Sequence, residues 1–157
     1  MGTRRVGREI AVQFLYQNDI KPSQQLETAL HDFWELCGTD NAVARQFAEN
    51  LIRGAMEKLP EVDRKIQEYS QNWDFNRMAA VDRNILRLSV YELLFREDVP
   101  PVVCINEAIE IAKHYSTEDS GKFINGILDQ VRKELLRPAR QAAGNPLNNP
   151  DPKPSPQ

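Results

Sequence analysis

An all-α fold of about seven helices is what three features of the sequence predict. Apolar residues recur at three- and four-residue spacing in one segment after another, as in helices with one buried face. No long stretch alternates apolar and polar residues as a half-buried strand would. The chain has 7 glycines, and most of its 10 prolines fall between the periodic segments or near the C-terminus, where they punctuate helices. At 157 residues it suits one domain or two small, tightly packed halves.

The first helix is expected over about residues 4–19, with Val6, Ile10, Ala11 and Phe14 as its stripe and "KPSQ" closing it. A second, about 24–37, carries Leu26, Leu30, Phe33, Trp34 and Leu36. Asp40 or Asn41 can cap a third, about 41–58, with Val43, Phe47, Leu51, Ile52 and Ala55 inward. Pro60 suits the first turn of a fourth, whose stripe is Val62, Ile66 and Tyr69; "NWDFN" interrupts at 72–76. The fifth, about 78–96, bears Ile85, Leu86, Leu88, Val90, Leu93 and Leu94 around most of its circumference, which predicts a central helix. "EDVPP" turns the chain. The sixth, about 102–114, places Ile105, Ala108, Ile109 and Ala112 on one face. The seventh starts around Thr117 to Asp119 and ends near Leu136, with Ser116 and Asp119 at capping-box spacing. From Pro138 the composition turns to proline and small polar residues, which predicts a disordered tail over 138–157.

The net charge of -3 argues against a generic polyanion binder. Any nucleic-acid contact needs a local basic patch or a partner. Cys37 and Cys104 form no CxxC, so no zinc site is expected and both read as buried thiols. No signal peptide and no membrane-length apolar run is seen, and a reduced cytoplasmic setting fits. Gly-rich phosphate loops, GxSxG and HExxH are absent, and His31 and His114 read as surface or packing residues. No enzyme, cofactor or metal is expected.

Two features stand apart. On a helical wheel, Ile124, Leu128, Val131 and Leu135 form the buried stripe of the seventh helix, and Gly121 falls inside it, where a missing side chain would permit close packing. Phe123 lies about 100° from the stripe's centre, among Asp119, Lys122 and Asn125. It is either a half-buried packing residue or an exposed stacking platform. In the first helix, Arg4, Arg5 and Arg8 crowd the opening turns, and Arg5, Glu9, Val12 and Tyr16 share a face away from Ile10 and Phe14. Guanidinium groups beside a tyrosine suit phosphate and an unpaired base; a solvated helix end is the plainer alternative. Cations at a helix N-terminus oppose the macrodipole, a slight cost that favours a function.

Three segments carry a resemblance: "RRVGREIAVQFLYQ", "VDRNILRLSVYELLF" and "VPPVVCINEAIEIAKHYSTEDSGKFINGIL", in that order. Over about residues 3–136 the chain resembles the NusB family of bacterial transcription antitermination factors. The resemblance implies one all-helical domain over 1–137, in two packed halves at about 1–58 and 60–137. It implies binding to the single-stranded boxA element of nascent ribosomal RNA transcripts, jointly with NusE, a small-subunit ribosomal protein. It also implies work with RNA polymerase and other Nus factors against premature termination.

Carried over by position, Arg4, Arg5, Arg8, Tyr16, Asp119, Lys122 and Phe123 are the expected RNA-binding residues. Tyr16, Asp82 and Glu118 are the expected partner-binding residues. Val6 stands where some relatives have another arginine, and Asp82 is shorter than the glutamate some relatives carry. Competing readings are an accessory RNA-binding domain in ribosomal RNA maturation and a homodimer that hides the arginine face.

Overall fold

The amphipathic segments fold as helices. The computed structural model describes residues 2–37, 39–70 and 75–136. Among them are α1 (Thr3–Ile20), α2 (Leu26–Cys37), α3 (Ala42–Glu57), α4 (Leu59–Tyr69), α5 (Ala80–Phe95), α6 (Pro101–Tyr115) and α7 (Glu118–Leu135), with a 3-10 turn at Phe75–Arg77. No strand occurs among the described residues. The proline-rich segment and most of "NWDFN" lie outside them.

The apolar circumference of α5 has the expected consequence. It packs against α1, α3, α4, α6 and α7, and Ile85, Leu86, Leu88 and Val90 are buried on its several sides. Each such side chain contributes about 1.5–3 kcal/mol relative to exposure. Asp82, Asn84, Arg87, Ser89 and Glu92 of α5 are buried too, and each has a polar partner. Arg87 donates to Asp63 of α4 at 2.8 and 3.0 Å, Asn84 donates to Asp19 at the end of α1 at 3.0 Å, and Ser89 donates to the Ile85 carbonyl at 2.8 Å. The second helix joins through Phe33, edge-on to Phe14 at 5.4 Å, and through Trp34, whose Nε1 donates to Glu49 at 2.9 Å.

Close helix contact depends on glycine at two places, neither of them Gly121. A Cβ on Gly7 would lie 2.7 Å from Cδ2 of Phe47, and a Cβ on Gly54 would collide with the Tyr91 hydroxyl. Gly121 is buried, yet a Cβ there meets nothing within 4 Å. Gly7 explains a shift in the expected stripes. Because α1 turns Gly7, Ala11 and Arg8 toward α3 and α5, its buried face also includes Val12 and Leu15, while Val6 and Ile10 are half-exposed. Facing it, α3 turns in Ala44 and Ala48, which leaves Val43 exposed. Leu36, expected inward, is 85% exposed.

Two caps fix the starts of α3 and α7. Asn41 Oδ1 accepts from Ala44 N–H at 3.0 Å. Thr117 Oγ1 accepts from Ser120 N–H at 3.0 Å, so the α7 cap is Thr117 and not Ser116. Such a cap is worth about 1 kcal/mol.

Candidate nucleic-acid interface

The opening turns of α1 do not present three equivalent cations. Arg4 is exposed, and its guanidinium lies 5.4 Å from the centre of the Phe47 ring. Arg5 is half-exposed and donates through Nε and Nη2 to Glu107 of α6, at 2.9 and 2.6 Å. Arg8 is 3% exposed. It donates to both carboxylate oxygens of Glu92 on α5, at 2.9 and 2.9 Å for the shortest pairs. Arg8 sits between Gly7 and Ala11 on the face that packs inward, which is why its charge is internal.

The electrostatics follow. Burial alone would lower the pKa of Arg8, but the hydrogen bonds and charge of Glu92 reverse this and raise it. Arg5 is likewise raised, first by its hydrogen bonds to Glu107. Those same bonds hold the Glu107 carboxyl below its ordinary value, against the opposing effect of burial. Below this cluster, burial pushes the Cys104 thiol up to about 12, so it stays protonated.

One groove runs along α1 from Val6 to Tyr16. Tyr16, 37% exposed, lines a cavity of about 390 Å³ with Val6, Ile10, Val81, Ile111 and Tyr115. The Tyr115 hydroxyl donates to Glu9 Oε1 at 3.4 Å. Tyr16 therefore lies beside the end of α6, immediately before the start of α7.

At that junction Asp82 faces inward. Its two carboxylate oxygens accept from the hydroxyls of Ser116 and Ser120, each at 2.7 Å, and it is buried. Glu118, Asp119 and Lys122 of α7 are exposed. Phe123 is half-buried and packs against the core, the boundary position its wheel angle gives. So Tyr16 and Asp82 border the α6–α7 junction at which Glu118 begins α7, whereas Arg4, Arg5 and Arg8 lie about two to three turns from Tyr16 along α1, some 12–18 Å.

Glu92, Glu107, Phe47, Arg96 and Tyr115 carry no functional signal in the sequence. Glu92 lies within an apolar run and Phe47 reads as plain core; only the three-dimensional pairing, across 84 residues for Arg8 and Glu92, reveals their partners. Among the described residues no cluster of three or more His, Cys, Asp or Glu is placed to hold a metal ion, and no helix is long and apolar enough to cross a membrane.

The comparisons with known proteins agree with one another. The NusB family model matches residues 5–133. The transcription antitermination protein NusB of Geobacter sulfurreducens is 48% identical over 138 residues, covering 86% of this chain and 97% of that protein. Its counterpart in Methylacidiphilum infernorum is 45% identical over 139 residues, covering 88% and 96%. A crystal structure of the antitermination factors NusB and NusE in complex with dsRNA contains a chain with the same fold. That chain has TM-score 0.76 and 28% identity, over 85% of this chain and 98% of the other. With the resemblance reaching from the first turn of α1 into the last turns of α7, the chain belongs to the NusB family.

Proposed function

We propose that this protein is an RNA-binding transcription antitermination factor. It binds the boxA element of nascent ribosomal RNA transcripts jointly with NusE, and with RNA polymerase and other Nus factors it limits premature termination in the cytoplasm. The observation that carries this reading is the match in fold and sequence to the factor solved with NusE and dsRNA.

The geometry supports a division of labour. Arg4, the outer edge of Arg5, Lys122 and Phe123 are the accessible RNA-facing groups, with Asp119 beside them. Tyr16 and Glu118 border the groove and junction where a protein partner would seat. Arg8 and Asp82 act from inside: the first is paired with Glu92, the second is held by two serines. Their proposed contribution is to fix α1 and the α6–α7 junction.

With a net charge of -3 and two of three motif arginines already neutralised, the protein alone should bind RNA weakly. NusE supplies further contacts and charge. Titration of single- and double-stranded boxA oligonucleotides with and without NusE tests this. Binding should tighten with NusE, and log affinity should fall with log salt at a slope of about -2 to -3.5, as for roughly three to five phosphates neutralised on a single strand. An RNA affinity indifferent to NusE would sink the joint-surface reading, and sedimentation with and without RNA would expose a homodimer that hides the arginine face.

A further inference from the structure

Three guanidinium groups surround one aromatic ring. The Cζ atoms of Arg4, Arg8 and Arg96 lie 5.4, 5.3 and 5.9 Å from the centre of Phe47, all within the range of a cation–π contact. Two of the three also have carboxylates. Arg8 is held by Glu92, and Arg96 donates to both oxygens of Asp98 at 3.0 Å each. The neighbouring Arg5 is held by Glu107. Arg4 makes no ion pair among the described residues; its guanidinium rests on the ring, and the Asp98 carboxylate feels its charge without pairing with it.

The difference between these two kinds of partner decides what each arginine has left to offer. A carboxylate occupies the guanidinium fork and cancels its charge. An aromatic face attracts the flat cation from one side and leaves the N–H groups on its edge unoccupied. Arg4 is thus held in place while keeping its charge and its donors, the combination a phosphate needs. The ring has a fixed seat, because it lies over Gly7, where a Cβ would come within 2.7 Å of it. Helix α3 supplies the ring and α1 supplies both the seat and the cation, so the arrangement exists only once these helices have packed.

We propose that Phe47 is a positioning residue for RNA binding: its ring orders the Arg4 guanidinium and leaves its N–H donors free for a backbone phosphate. The inference rests on the RNA-binding function proposed above.

A double-mutant cycle tests it in the full-length protein, with a boxA oligonucleotide in the presence of NusE as the probe. Phe47→Leu keeps apolar bulk and removes the flat face. It should weaken RNA binding roughly two- to fivefold, the worth of one exposed cation–π contact, while Phe47→Tyr keeps wild-type affinity. In an Arg4→Ala background, Phe47→Leu should cause no further loss. In NMR spectra without RNA, the Arg4 side-chain protons should carry an upfield ring shift that disappears in Phe47→Leu. Equal losses in both backgrounds would mean a general packing effect and would overturn the proposal, as would full RNA affinity in folded Phe47→Leu. If the wild-type protein with NusE bound no RNA, the parent reading would fall as well; RNA binding indifferent to the ring would remove this inference alone.

Discussion

The N-terminal turns of α1 and of α7 are both dense in charge, and the fold treats them in opposite ways. In α1 the charges are drawn into the structure: Arg8 closes on Glu92, Arg5 closes on Glu107, and Arg4 rests on a ring. In α7 the charges stay in solvent, and the inward polar contacts are made by the uncharged Ser116 and Ser120 onto Asp82. The α1 cluster therefore couples surface chemistry to stability, whereas α7 can change its charge at little structural expense. An accessible charge is available to a ligand; a paired one holds helices together.

The sharpest way to break this contrast is to strip the partner from the most buried arginine. Glu92→Ala should destabilise the protein by about 3–5 kcal/mol, the usual consequence of leaving one buried charge uncompensated. Urea unfolding would measure it, and a loss under 1 kcal/mol would mean that Arg8 escapes to water. Next in size is Phe123, half-buried where α7 meets the core. Phe123→Ala should lower stability by about 1–3 kcal/mol, short of the roughly 3–5 of a fully enclosed phenylalanine. RNA affinity should also fall by about 1–3 kcal/mol through loss of a stacked base. Phe123→Trp should keep most of that affinity and Phe123→Leu should not. Thermal melts and RNA titrations separate the two effects, and intact RNA binding by folded Phe123→Ala would make it a packing residue only.

Glu107 should behave more mildly, because its partner Arg5 is 30% exposed. The pair is worth up to about 1 kcal/mol. The sign of its pH dependence is set by the depressed carboxyl. Its stabilisation is fully present above the ordinary value of 4.5 and fades as pH drops through the lower folded-state value. Wild type and Glu107→Gln should therefore differ at neutral pH and converge in acid, which denaturation at several pH values would show. The smallest effect is expected at Asp119, in the first turn of α7. Asp119→Asn removes an exposed charge near a helix N-terminus and should strengthen RNA binding, at a stability change of about 0.3–1 kcal/mol. Weaker binding by the folded variant would identify Asp119 as an acceptor for RNA.

Helix existence and order were legible in the sequence, and so was the centrality of α5, because apolar spacing and proline placement are local signals. The phase of α1 was not. Gly7 and Arg8 carry no apolar signal, yet both face inward: one because only hydrogen fits beneath Phe47, the other because Glu92 arrives from a distant segment. A wheel drawn from apolar residues alone rotates the stripe toward Val6 and Ile10. The same blindness hid the candidate site. Arginines in one motif look alike until their partners, all remote in sequence, divide them. Tyr16 and Phe123 were easier, since an aromatic at the edge of a stripe announces its boundary position.

The two serines that clasp Asp82 have a consequence for motion. They span the short joint between α6 and α7, and their shared acceptor belongs to the first turn of α5. An N-terminal helical turn ordinarily frays, opening and closing long before the rest of the chain. Here the turn cannot open without first releasing an anchor in the central helix. Its amide protons should exchange with solvent at rates set by the opening of α5, so that the start of α7 belongs to the slow, cooperative unit of the protein rather than to its loose ends.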